Sequence, residues 1–188
     1  MLAGIGIFIL LIGSITAFFI SSTQNQTIIF NQLDTQGEVR KVIQDFVGEI
    51  RSATYSSIGS YPLLEASSSE IIFYTNIDAD NLRERVRYFL VTTTLKKGII
   101  KPSGYPLMYN TSSESITDVI HSVVQTSSTI FTYYDANYTG VEPPLVQPVN
   151  PSAVRVVGIQ IFIDKNPSSS PNVFGFQAKA NIRTIKDN

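Results

Sequence analysis

The chain reads as an α+β protein in which one long N-terminal α-helix, transmembrane in its first half and amphipathic in its second, packs on an antiparallel β-sheet head. Three observations predict this. The first 33 of the 188 residues carry no charged side chain. Val39, Val42, Ile43, Phe46, Val47 and Ile50 then recur at spacings of three and four among Arg40, Lys41, Asp45 and Glu49, which is the period of a helix with one apolar stripe. All nine prolines fall at or beyond Pro62, and the last two apolar runs alternate with period two, as half-buried strands do.

The elements follow in order. Residues 1–23 form the expected transmembrane helix, since MLAGIGIFILLIGSITAFFI supplies the roughly 20 apolar residues that a bilayer requires. No basic residue precedes the run and its apolar core is long, so it reads as a retained anchor rather than a cleaved signal. Gly4, Ile7, Phe8, Leu11, Gly13, Ile15, Phe18 and Phe19 are its candidate lipid- or helix-facing residues, the small ones allowing neighbouring helices to come close. Residues 24–55 continue as the amphipathic helix, giving a rod of about 80 Å at 1.5 Å per residue, with Val39, Ile43, Phe46, Val47 and Ile50 turned to the head. The head, 56–188, begins with the turn-rich SSIGSYPLLEASSS. Strands are expected at Ile71–Thr75, along Arg83–Thr94, and at Ile130–Tyr134. LKKGIIKPSGYP reads as a turn and irregular return, and Thr117–Gln125 as either a short helix or a strand. VEPPLVQPVNPS is an extended loop, because prolines fit neither a helix interior nor a central strand. VRVVGIQIFID and VFGFQAKANIRT close the chain as a hairpin linked by KNPSSSPN, with one apolar face on the core and one polar face in water.

Composition bounds the chemistry. There is no cysteine and a single histidine, which excludes disulfides, thiolate metal sites and multi-histidine metal sites. A net charge of -1 argues against a general nucleic-acid binder. A Ser-His-Asp triad would need His121, within Asp118-Val-Ile-His121-Ser122, but no G-x-S-x-G motif accompanies it. The chain therefore reads as a non-enzyme with no cofactor. Asp78 and Asp80, with Asn76 and Asn81, are weak calcium candidates: they offer oxygen ligands but lack an EF-hand's glycine and bidentate glutamate, and a turn held by Asx hydrogen bonds is the favoured reading. Asp135 and Asn137 are read in the same way. Arg83, Arg85 and Arg87 fall at period two with Lys96, Lys97 and Lys101 following; a phosphate or DNA stripe is one reading, and a solvated or subunit-contacting strand face is favoured over it by the overall charge. Tyr133, Tyr134 and Tyr138 are read as packing residues, and Asn25, Asn110 and Asn137 head N-x-S/T sequons.

The succession of an uncharged apolar helix containing GIFILLIGSI, the amphipathic VRKVIQDFVGEIRSAT, strands IIFYT and RVRYFLVTTTLKKGIIKP, the motif IFTYYD, a Pro-rich loop and two closing strands resembles the type IV pilin-like proteins. It is closest to the J-type pseudopilins of type II secretion and the W-type minor pilins. The resemblance implies a structural subunit at or near the tip of a pilus or pseudopilus. The alternatives are a major pilin of the same fold or a monomeric membrane-anchored extracellular binding domain. It implies other pilin-like subunits as partners, the lipid bilayer before assembly, and prepilin peptidase with its assembly platform. A single-pass membrane protein with an extracytoplasmic head, passing into an extracellular filament, is the expected location. MLAGIGIF aligns a few residues beyond the family's mature start, so no residue here inherits the family's glutamate.

Overall fold

A computed structural model describes residues 4, 6, 12–16, 19, 36–78, 80–124, 129–164 and 173–185. The chain divides into two compact units, Met1–Val39 and Arg40–Asn188. In the first, residues 12–16 and 36–39 are helical, as are Gly4, Gly6 and Phe19. The candidate helix residues Gly4, Gly13, Ile15 and Phe19 are exposed, whereas Ile7, Phe8, Leu11 and Phe18 lie outside the described residues.

In the second unit the chain is helical to residue 51. The run stops because the backbone changes partners: Ala53 N–H turns back to Ile50 O at 3.2 Å, and Thr54 N–H donates to Tyr74 O at 2.9 Å, handing the chain to a sheet. Among the described residues eight strands follow. β1 (Leu63–Ala66), β2 (Glu70–Thr75), β3 (Glu84–Val91), β4 (Thr94–Ile100) and β5 (Ser115–Ile120) form one sheet in sequential order. β6 (Phe131–Tyr134), β7 (Val156–Ile163) and β8 (Phe174–Asn181) form a second, and every pairing is antiparallel. Ile130 and Phe131 N–H donate to Ser68 O at 2.8 and 3.0 Å, and Val124 N–H to Phe162 O at 2.7 Å, tying the sheets together through their connections.

This corrects the expected fold class. Among the described residues there is no long N-terminal helix laid on a single sheet; the head is two antiparallel sheets with a short helical run between them. The physical reason lies in how much apolar surface must be covered. Within the head unit that run buries Ile43, Phe46 and Ile50, too few side chains to shelter Ile71, Phe73, Val86, Tyr88 and Leu95, so Phe131, Tyr133, Ile159 and Ile161 of the second sheet complete the core. Phe46 joins the layers: its ring lies edge-on to Tyr88 and Phe73 of the first sheet, with centroids at 5.2 and 6.5 Å, and tilted against Phe131 of the second at 5.8 Å. Val47 is half-buried, and Val39, at the end of the other unit, is buried. β7 is the middle strand of its sheet, and Val156 and Gly158 are buried as well as Val157 and Ile159, so the face expected in water is covered at its start while Gln160 stays exposed.

The expected location is corrected too. Among the described residues no helix is long and apolar enough to cross a membrane, so the single-pass reading is not supported.

Candidate functional site

Among the described residues, the β2–β3 connection brings three carboxylates together. β2 ends at Thr75 and β3 begins at Glu84, the two being register partners, which places Glu84 at the foot of the turn. Glu84 is 3 % exposed. Its Oε2 accepts Ile77 N–H at 3.0 Å, while its Oε1 is buried without a hydrogen-bond partner, as is Asn76 Oδ1. Above it the turn is built from Asx bonds: Asp78 Oδ1 accepts Asp80 N–H at 3.4 Å, Asp80 Oδ1 accepts Leu82 N–H at 2.6 Å, and Asn76 Nδ2 donates to Asp80 O. Carboxylate oxygens of Asp78, Asp80 and Glu84 all lie within 4.8 Å of one another. Lys101, just past β4, donates from Nζ to Asp78 Oδ2 at 2.6 Å and also to Asp80 Oδ2. The ammonium, followed by the Leu82 N–H, holds the Asp80 carboxyl below its ordinary range, and the two aspartates raise Lys101.

Four cations of the basic stripe, Arg87, Lys96, Lys97 and Lys101, are charge-compensated within the head. Arg87 reaches Glu114 through Nε and Nη2, both at 2.8 Å, approaches Glu70 at 3.5 Å, and its guanidinium lies 3.8 Å over the Phe89 ring. The Glu114 carboxylate passes over Gly98, the register partner of Arg87; a Cβ there would sit 2.3 Å from Glu114 Oε1. Lys96 pairs with Asp118 at 2.7 Å and holds its carboxyl down. Lys97 pairs with Glu49 of the helical run, and the same carboxylate accepts Tyr88 OH at 2.9 Å. Burial and then Glu49 push the Tyr88 phenol up. Arg83 precedes β3 and donates to Asn81 O at 3.1 Å, and the buried Nε of Arg85 has no hydrogen-bond partner.

The remaining candidates are placed as follows. His121 is exposed, with Thr94 Oγ1 3.4 Å from its Nδ1, and Asp118 is turned to Lys96 instead of His121. Tyr133 is buried, its hydroxyl donating to Ser67 O at 2.7 Å, and burial raises its pKa. Tyr134 and Tyr138 pair at 4.1 Å between centroids beneath Lys179, which also donates to Tyr138 OH. Asp135 and Asn137 form an Asx turn at 3.0 Å. Asn110 caps the short 3-10 helix Thr111–Ser113, and Asn25 lies outside the described residues.

Three participants went unmarked in the sequence: Glu84, Glu114 and Glu49. Glu84 had a signal, an acid closing the run D-A-D-N-L-R-E after the two aspartates. The other two are brought in by register and by helix packing.

No protein-family model and no curated protein matches the chain. Its chemistry is therefore read from these side chains alone.

Proposed function

We propose that the chain is a structural, pilin-like subunit of a filament, of the minor-pilin or pseudopilin kind, assembled through apolar helix contacts with other pilin-like subunits. The observation that carries this is the stripe formed by Ile12, Ile15 and Phe19 in the N-terminal unit, spaced three and four apart and 48, 65 and 68 % exposed. Single exposed apolar residues are ordinary, but a stripe at helical spacing in an uncharged segment needs a cover. Thr16 Oγ1 donates to Ile12 O at 2.8 Å, so that hydroxyl is satisfied by the helix itself. Burying such a stripe against a like helix is favourable by roughly 25 cal/mol per Å² removed from water. Gly4, Gly6 and Gly13 have nothing within 4 Å of a Cβ position, which leaves room for a close neighbour. The pairing of Arg87, Lys96, Lys97 and Lys101 with Glu114, Asp118, Glu49, Asp78 and Asp80 supports protein neighbours over nucleic acid.

The absence of native cysteine makes the test clean. With Ile15→Cys as the only thiol, mild oxidation of sheared filaments should yield covalent dimers containing this chain. A chain that is absent from the sheared fraction and forms no dimer refutes the reading.

A further inference from the structure

We propose that Asp78, Asp80 and Glu84 form a calcium site at the β2–β3 turn, in which the ion takes the position that the Lys101 ammonium holds against the two aspartates. The inference is independent of the filament reading and begins from a buried group. Glu84 is 3 % exposed, and one of its oxygens has no partner. A buried acceptor left without a partner is costly, and more so when charged, so such a group is retained where something satisfies it. Its surroundings say what. The oxygen shell around it is anionic and hard, made of carboxylates with the Asn76 amide in the same turn, which suits calcium or magnesium and not a softer metal.

Hydration and geometry select between those two. Magnesium demands near-ideal octahedral geometry and gives up its waters reluctantly, while calcium accepts an irregular shell of carboxylate and amide oxygens such as this turn offers. Carboxylate oxygens of the three acids already fall within 4.8 Å of one another. Glu84 Oε2 is held by Ile77 N–H, and the Oδ1 atoms of both aspartates are engaged by the turn's own N–H groups, which orients the acids before any ion arrives.

Lys101 brings one positive charge to three carboxylates and contacts only the Oδ2 atoms of the aspartates. Its side chain is half exposed, so it can swing into water at little cost. A divalent ion that displaces it compensates more charge and can also engage the buried glutamate. Competition with a tethered ammonium places the affinity in the weak range of extracellular modules, a Kd of about 10⁻⁴–10⁻³ M.

Calcium chloride is titrated into the full chain by calorimetry, and the melting temperature is read in calcium and in chelator. One saturable site and a higher melting temperature in calcium are expected, with magnesium binding at least about tenfold more weakly. Asp80→Asn, at an exposed position, should weaken calcium at least about tenfold, and Lys101→Met, which removes the competitor, should tighten it severalfold. Equal melting temperatures and no saturable heat up to about 10 mM calcium, in both the native chain and K101M, overturn the proposal. So does a D80N protein that binds calcium as the native chain does.

Discussion

Replacing Phe46 with alanine removes a ring that is 0 % exposed and that touches Phe73 and Tyr88 of the first sheet and Phe131 of the second. Truncating a buried phenylalanine costs about 3–5 kcal/mol, the spread reflecting how far the site can collapse. Collapse is limited here, because two neighbours are fixed in strands of one sheet and the third in a strand of the other. Aromatic pairs also contribute about 0.5–1.5 kcal/mol beyond their buried area. The upper half of the range, about 4–5 kcal/mol, is therefore expected, a fall in melting temperature of about 10–15 °C for a unit of this size. Val47→Ala, at a half-buried position on the same turn, should cost about 1 kcal/mol or less. Urea and thermal unfolding followed by circular dichroism give both values. A double-mutant cycle with Phe131→Leu should show coupling of about 0.5–1.5 kcal/mol. A loss below about 2 kcal/mol for F46A, or additivity with F131L, refutes the idea that this ring joins the two sheets.

Two further outcomes follow from the geometry. Gly98→Ala should cost about 1–3 kcal/mol by forcing the Glu114 carboxylate off Arg87, since the new Cβ would stand 2.3 Å from Oε1 and 2.8 Å from Cδ; Glu114→Gln added to G98A should then cost little more, and full additivity in chemical denaturation counts against a shared contact. Glu142 accepts Thr139 Oγ1–H at 2.6 Å and Thr139 N–H at 2.7 Å, and these bonds, the side-chain one first, hold its pKa down to about 2 from 4.5. A carboxylate depressed in the folded state contributes stability above its ordinary pKa, and that contribution is lost as pH falls through the folded value. The loop contacts should therefore persist at pH 4 and fail near pH 2, and a carbonyl NMR titration of Glu142 with its midpoint above about 3.5 would contradict this.

Legibility varied with how local the determining interaction was. Ile71–Thr75 and Ile130–Tyr134 differ by one residue from β2 and β6 because dense β-branched and aromatic residues mark a strand by themselves. The run Arg83–Thr94 reads as one strand, yet it holds all of β3 and the first residue of β4. The turn between them uses Thr92 at φ 55°, where glycine or asparagine would have announced a hairpin. LKKGIIKPSGYP was read as irregular for the same reason, once β4 had lost its opening signal. LLEA was too short to separate from its Ser- and Pro-rich flanks, although it is β1. Two sheets in place of one could not be read from alternation alone, because burial of both faces of β7 depends on where Thr132 and Lys179 fall against Gly158. At the turn, Asp78 and Asp80 were visible as a local acidic pair. The burial of Glu84 was hidden, since it is set by the pairing with Thr75 and not by its neighbours Arg83 and Arg85.

A ring wedged against three others in two separate sheets also decides how the head answers a pull. Tension applied along residues 40–51 reaches Phe73, Tyr88 and Phe131 at once, so neither sheet can peel away while the other stays loaded. The head should yield in a single rupture at high force and not in a sequence of small ones, which is what a component under steady mechanical load requires.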